Sequence, residues 1–348
     1  MTFQVYVGMD LGSHKTAVMT SEGRRVFLPT VIGRPRDDLS RRLMKADAVF
    51  GNAAIEGHNS LELIRPLAHG RLKFQAPGTS DPKGMKDEVM QRESLGLIVQ
   101  HALSLVGVTA DVNAAVIIGV PALACSESKE LIVEIARRTC RSVMVVSEPF
   151  AVAYGLDQLS GAVVVDIGAG TTDICALCGI YPRPEHQVTL RLGGDAIDDT
   201  FTNLVVSQYP NAIVSQKILC DLKERFGSVA ENPPQANLTV VVDGRPQVLN
   251  LTKQLQEACQ SFVEPVFSGL KQCLSSWDNE MQSRLLRNVI LAGGGSRMQG
   301  LDIALERLLC EYYSEHARVN RIHDSVFAGA AGALKLAMEA RPEHWDAV

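Results

Sequence analysis

No apolar run in this chain reaches the ~18–20 residues that a membrane-spanning helix needs, so insertion into a bilayer is not expected. Nor is there a basic excess. Lys and Arg number 34 against 39 Asp and Glu, a formal charge of −5, which removes the electrostatic reason to expect nucleic acid as a partner. The eight cysteines lack a framework spacing, and a chain of this size needs no disulfide staples; reduced thiols in a cytoplasm are the simpler reading. Cys175 and Cys178 form a lone CxxC at what reads as the end of a strand. Without a second pair or a helix N-terminus, that motif reads as core rather than as a zinc or redox site. The first residues, Met1-Thr2-Phe3-Gln4, lead at once into an apolar strand pattern. They leave no room for a signal peptide or an amphipathic anchor.

What is present suits a packed protein of two domains: 348 residues, 46% hydrophobic and 21% charged. Two segments about half a chain apart share one plan. Val5-Tyr6-Val7-Gly8-Met9-Asp10-Leu11-Gly12 runs on to Thr16, and Val163-Val164-Val165-Asp166-Ile167-Gly168 runs on to Thr172. In each, a β-branched apolar strand ends in Asp, a Gly follows at the second position, a Thr at the sixth, and a second apolar strand begins. A plan used twice implies two related halves.

The rest of the chain alternates strands with helices. Strands are expected at 114–120, 141–147 and 288–292, helices at 126–140, from Glu148-Pro149 onward, at 301–311 and at 327–340. Such alternation predicts an α/β protein with mixed, largely parallel sheets covered by helices. The first half is expected over 1–150, with a peripheral lobe at about 31–80. The second is expected over 151–348, with a peripheral lobe at about 196–254. That second lobe contains a hairpin turning through Asp243-Gly244-Arg245-Pro246, and the small-residue-rich helix at 327–340 is expected to pack back on the first half.

Asp10 and Asp166 each stand where a strand turns. An ionised carboxylate only accepts hydrogen bonds, and two of them converging suit Mg²⁺, which takes hard oxygen ligands and keeps several waters. Gly12, Gly168 and Gly170 let backbone N–H groups approach phosphate oxygens; Ser13, Thr171 and Thr172 add hydroxyls, and Lys15 a positive charge. A single such turn reads as an ordinary hairpin; two in matching register read as phosphate turns. Gly293-Gly294-Gly295-Ser296-Arg297 lies between a strand and a helix and is a candidate base or ribose contact. Glu148 has two readings. It is either favoured at a helix start by the macrodipole or it orients a water for attack on a γ-phosphate.

These motifs resemble those of the superfamily of actin, DnaK-type chaperones and sugar kinases. Gly8 through Thr16 resembles its first phosphate motif and Asp166 through Asp173 its second; Ser147-Glu148-Pro149-Phe150 resembles the connecting helix that carries the hydrolytic Glu. Asp221-Leu222-Lys223-Glu224-Arg225-Phe226 is similar to the actin segment whose Lys and Glu contact the nucleoside. Leu291 through Ser296 is similar to the adenosine motif, and Gly193-Gly194-Asp195 to Asp198 to the turn that opens the second lobe. Segments at 29–36 and 64–70 extend the likeness over nearly the whole chain. Within the superfamily the chain is most similar to the bacterial actins of magnetosome chains, on 16–21, 145–150, 166–177, 184–190 and Pro342-Glu343-His344-Trp345.

The resemblance implies two actin-like (ribonuclease H-like) halves around a nucleotide cleft, with ATP and Mg²⁺ as cofactors. It implies a catalytic set of Glu148, Asp10, Asp166 and Thr171, with Mg²⁺ held by Asp10 and Asp166 through water. The nucleotide contacts it implies are Gly12, Ser13, His14, Lys15, Gly168, Ala169, Gly170, Thr171, Thr172, Lys223, Glu224, Gly294, Gly295, Ser296 and Arg297. It implies an ATPase that polymerises with itself into cytoplasmic filaments and positions organelles through magnetosome-associated adaptor proteins. His14-Lys15 departs from the small or polar pair usual at that turn, and the first lobe looks short and irregular. The competing readings are another bacterial actin of the cell-shape or plasmid-segregation type, a small-molecule kinase, a chaperone, and a membrane-associated division or pilus-type actin. The chain ends just after the closing helix with no peptide-binding domain, which counts against a chaperone. A kinase of this superfamily usually carries larger insertions.

Overall fold

The computed structural model describes residues 3–68, 71–72, 82–242 and 244–345. Expectations that fall on Met1, Thr2, His69, Gly70, 73–80 and Asp243 lie outside the described residues. The chain divides into two units: one runs to Gln158 and resumes at Val326, and the other is Leu159–Ser325.

The first unit is built on β1 (Val5–Leu11), β2 (Lys15–Thr20), β3 (Arg25–Pro29), β4 (Ala114–Val120) and β5 (Ser142–Ser147), in the order β5-β4-β1-β2-β3. β1 pairs antiparallel with β2 and parallel with β4. Every residue of β4 is buried, as a parallel strand covered on both faces requires. Side chains alternate across it. Val116 and Ile118 pack with Leu95, Val99 and Leu131 from the helices Pro82–Leu105 and Ser126–Ala136. Ala115 and Ile117 face the other way, onto Ala151, Ala333 and Ala337. The last two belong to the closing helix, Ala328–Glu339.

That closing helix lies backbone to backbone on its neighbours. A Cβ on Gly8 would sit 2.1 Å from the Ala330 carbonyl oxygen, and one on Gly332 would sit 1.7 Å from the Ala151 carbonyl oxygen. Only glycine allows such an approach. The helix Glu148–Gly155, entered from β5 through Ser147 with Pro149 in its first turn, is therefore crossed at its Ala151–Gly155 end by the closing helix.

The second unit repeats the plan with β6 (Ser160–Ile167), β7 (Thr172–Cys178), β8 (Gln187–Leu190), β9 (Val289–Ala292) and β10 (Val319–Arg321), in the order β8-β7-β6-β9-β10. The senses match as well: β6 is antiparallel to β7 and parallel to β9. So does the register. Asp10 stands opposite Ala17 and Gly119, and Asp166 opposite Asp173 and Ala292. The repeat seen in two short segments thus extends to both whole sheets. The core here joins Val163, Val165 and Ile167 to Phe262 and Val266 of the helix Thr252–Leu274. Cys175 is buried inside β7 while Cys178 is half-buried at its end; three residues apart on a strand, they point to opposite faces. Burial pushes the Cys175 thiol up from its ordinary pKa.

Each unit carries small additional elements. In the first, Ile32–Pro35, Val49–Phe50 and Leu61–Ile64 form a three-stranded sheet beside the short helices Asp38–Met44 and Gly51–Glu56. In the second, Ala212–Ile213, Asn237–Val242 and Arg245–Asn250 form another. The hairpin there differs from its expected bounds. Val242 already pairs with Arg245, so Arg245 and Pro246 belong to the strand rather than the turn, and Thr252 opens the next helix. Pro246 is tolerated because Arg245–Asn250 is an edge strand.

Candidate functional site

In the first unit the turn between β1 and β2 is closed by the Gly12 N–H donating to the Lys15 carbonyl at 3.1 Å. Its carbonyls are tied down by one residue that sequence reading did not single out. The Thr30 hydroxyl donates to the Gly12 carbonyl at 2.8 Å, and the Thr30 N–H to the His14 carbonyl at 2.8 Å. With that hydroxyl proton committed, buried Thr16 donates to Thr30 Oγ1 at 2.8 Å. The carbonyl and N–H of one trans peptide point in opposite directions. The amides of Ser13 and Lys15 therefore face away from Thr30.

The second unit repeats the device with other residues. The Gly168 N–H donates to the Thr171 carbonyl at 2.9 Å. The Gly168 and Ala169 carbonyls accept from the N–H groups of Gly194 (3.0 Å) and Asp195 (2.8 Å), at the start of the helix Gly194–Gln208. By the same geometry the amides of Ala169 and Gly170 face the other way. Gly193 is needed for this fit, since a Cβ there would lie 2.5 Å from the Ala169 carbonyl oxygen. Thr172, the counterpart of Thr16, is fully buried and donates to the Leu192 carbonyl at 2.8 Å. Thr171 lies on the turn side, its Oγ1 3.9 Å from where a Gly168 Cβ would be. In each turn, then, two consecutive or alternate carbonyls are tied down on one side, and the amides that follow them point to the other.

Asp10 is half-buried, and burial pushes its carboxyl up to about 7. Gly119 is its neighbour on β4. A Cβ on Gly119 would stand 3.9 Å from the Asp10 Cα and 3.3 Å from Glu148 Cγ, so the Glu148 stem lies over the end of β4 beside Asp10. Asp166 is buried, and Gly293, at φ +76, presses on it: a Cβ there would sit 2.3 Å from Asp166 Oδ1.

The remaining expected site residues lie in three places. Lys15 is exposed at the start of β2, with Nζ 5.7 Å from the Phe27 ring centre; Ser13 and His14 are half-buried in the turn. The Gly-rich turn does not open the helix Leu301–Tyr313, whose N-cap is Gly300. It forms its own short 3₁₀ turn, Gly294–Arg297, so the helix-terminus argument for an anion there does not apply. Within that turn Gly295 packs on Ile167, and buried Ser296 donates to the Gly293 carbonyl at 2.7 Å. Gly294 has open space, with nothing within 4 Å of a Cβ. Lys223 is mostly buried, its Nζ 2.8 Å from the Gly194 carbonyl and 2.6 Å from Asp198 Oδ2. Burial holds the Asp198 carboxyl above its ordinary value, and Lys223 offsets only part of that. Glu224 is exposed one residue further along the same helix, Gln216–Phe226.

Two sheets of one topology, each carrying an Asp next to the last residue of a central strand before a glycine-bearing turn, define the fold of the actin-like proteins. The chain belongs to the MreB/Mbl protein family, whose model matches residues 4–339. It is 34% identical over 346 residues to the actin-like protein MamK of Magnetospirillum gryphiswaldense (strain DSM 6361 / JCM 21280 / NBRC 15271 / MSR-1), covering 98% of this chain and 91% of that relative. Among solved structures it is similar to the MamK double helical filament, with a TM-score of 0.88 at 33% identity over 97% of this chain and 99% of that one. It is also similar to a non-polymerising MamK mutant bound to AMPPNP, with a TM-score of 0.72 at 32% identity over 97% and 100%.

Proposed function

We propose that this chain binds ATP with Mg²⁺, hydrolyses the ATP, and assembles with itself into cytoplasmic filaments that organise magnetosomes through adaptor proteins. One observation carries the reading: two turns of one geometry in matching register, each following an Asp near the end of its strand. The similarity to a filament of MamK and to an AMPPNP-bound mutant of it supports the same reading.

The donor chemistry of the residues suits the cofactor. Mg²⁺ takes one or two carboxylates and keeps its other ligands as water, and Asp10 and Asp166 offer one carboxylate each. Burial works against the charge on Asp10, and a nearby dication offsets that penalty. When bound, Mg²⁺ supplies neutralising charge for the phosphate oxygens. The amides of Ser13, Lys15, Ala169 and Gly170 and the Thr171 hydroxyl would hold those oxygens, and Glu148 would orient the attacking water. Gly294 supplies open backbone for the nucleoside. Lys223 has three donor hydrogens and two acceptors already, so any nucleoside contact falls to its third.

The test has two arms. Asp10→Ala and Asp166→Ala should each weaken ATP·Mg²⁺ binding strongly, measured by titration with a fluorescent ATP analogue; unchanged affinity in both would reduce the turns to structural hairpins. Wild-type protein with ATP·Mg²⁺ should scatter light and show filaments by negative-stain microscopy. A protein that stays monomeric at every concentration and salt, and phosphorylates a small alcohol, is a kinase instead.

A further inference from the structure

The closing helix reaches the candidate site through Gly329. A Cβ at that position would sit 2.8 Å from Asp10 Oδ2 and 3.2 Å from Asp10 Cγ. Elsewhere along its length this helix has no slack. It touches β1 at Gly8 and the helix Glu148–Gly155 at Gly332, in both places backbone against backbone. Its Ala333 and Ala337 are fully buried in a cluster with Ala115, Ile117 and Ala151. Lifting the helix away would open that cluster, whose close packing resists even one methylene of misfit. The Asp10 carboxylate, by contrast, is the end of a half-buried side chain with two rotatable bonds. A methyl at 329 would therefore be accommodated by turning the carboxylate.

We propose that Gly329 is a positioning residue for Asp10. By having no side chain, it leaves Oδ2 where the carboxylate can serve a hydrated divalent cation. This rests on the reading of Asp10 given above. The backbone of Gly329 does no chemistry; it keeps space empty. The consequence is a residue at the far end of the chain that governs the metal dependence of nucleotide binding without itself touching nucleotide.

The experiment is a double-mutant cycle on the full chain with Gly329→Ala, Asp10→Ala and both together. ATP affinity is titrated across Mg²⁺ concentrations, and thermal unfolding is followed without ligand. G329A should remain folded, lose at least about tenfold in ATP affinity at limiting Mg²⁺, and keep its affinity for ATP in EDTA. In the D10A background the same substitution should cost nothing further. If G329A fails to fold, D10A/G329A should restore cooperative unfolding, because the group that the methyl meets is gone. G329A with wild-type Mg²⁺ dependence beside a weakened D10A overturns the positioning role and leaves the nucleotide reading intact. If G329A fails to fold, a double variant that also fails to fold overturns it too. D10A with unchanged ATP·Mg²⁺ affinity removes the functional reading and this proposal with it.

Discussion

Asp198 and Lys223 show what a structure adds to a residue argument from sequence. Lys223 is expected at the nucleoside by resemblance, and two of its three donor hydrogens meet the Gly194 carbonyl and Asp198 Oδ2, the latter at 2.6 Å. That makes it a brace between the helices Gln216–Phe226 and Gly194–Gln208, the second of which supports the Gly168-Ala169 turn. No local pattern announces a pair whose members lie on different helices. The side chains are 13% and 8% exposed, so solvent screens the pair little. Removing one member leaves a buried charge uncompensated, which costs about 3–5 kcal/mol. Asp198→Ala should lower the urea midpoint accordingly and weaken nucleotide binding through the loosened turn. Replacing both residues with apolar ones of similar volume should recover most of the stability. A D198A midpoint equal to wild type would show the pair to be energetically idle.

Among the elements, the strands and their turns were the most legible. The β-branched run, the Asp and the Gly are local signals, and strand Ala114–Val120 falls where its apolar pattern places it. Boundaries failed where a rule depends on position in the sheet: Pro246 reads as a turn residue until its strand is seen at an edge. The three glycines at 293–295 could not be told apart either, because their roles depend on neighbours distant in sequence. Gly293 and Gly295 are fixed by contact with Asp166 and Ile167, whereas Gly294 is open. The closing helix was legible as a helix of small residues, but the reason for them was not. Gly332 meets the Ala151 carbonyl oxygen, a backbone atom that cannot rotate aside. Gly332→Ala should therefore force the two helices apart and cost about 3 kcal/mol or more, the upper range for overpacking. Gly294→Ala should change stability by less than about 1 kcal/mol while lowering nucleotide affinity. Thermal melts of both, beside nucleotide titrations, check the contrast; equal losses of stability would mean the helix crossing has slack.

At the scale of the whole molecule, polymerisation leaves no local mark in the sequence, because contacts between protomers are spread over surfaces. What the proposed function adds is a candidate timing group. Glu148 opens its helix with no side-chain cap from Ser147, and its stem lies over Gly119 beside the strand that carries Asp10. A carboxylate placed there to orient water acts on turnover rather than on ground-state binding, so its loss should cost on the order of 10²–10⁴ in hydrolysis rate. Glu148→Ala should then bind ATP normally and assemble normally. Its filaments should persist after wild-type filaments have decayed, because phosphate release no longer weakens the contacts between protomers. Glu148→Gln keeps the shape and part of the interaction with the helix end but removes the negative charge. If it behaves like E148A in hydrolysis, the charge is the working part; if it behaves like wild type, the residue only starts the helix. Phosphate release and light scattering followed in the same reaction distinguish these. Normal hydrolysis in both variants, with only a lowered melting temperature, would return Glu148 to a structural role and leave filament lifetime to be set elsewhere in the chain.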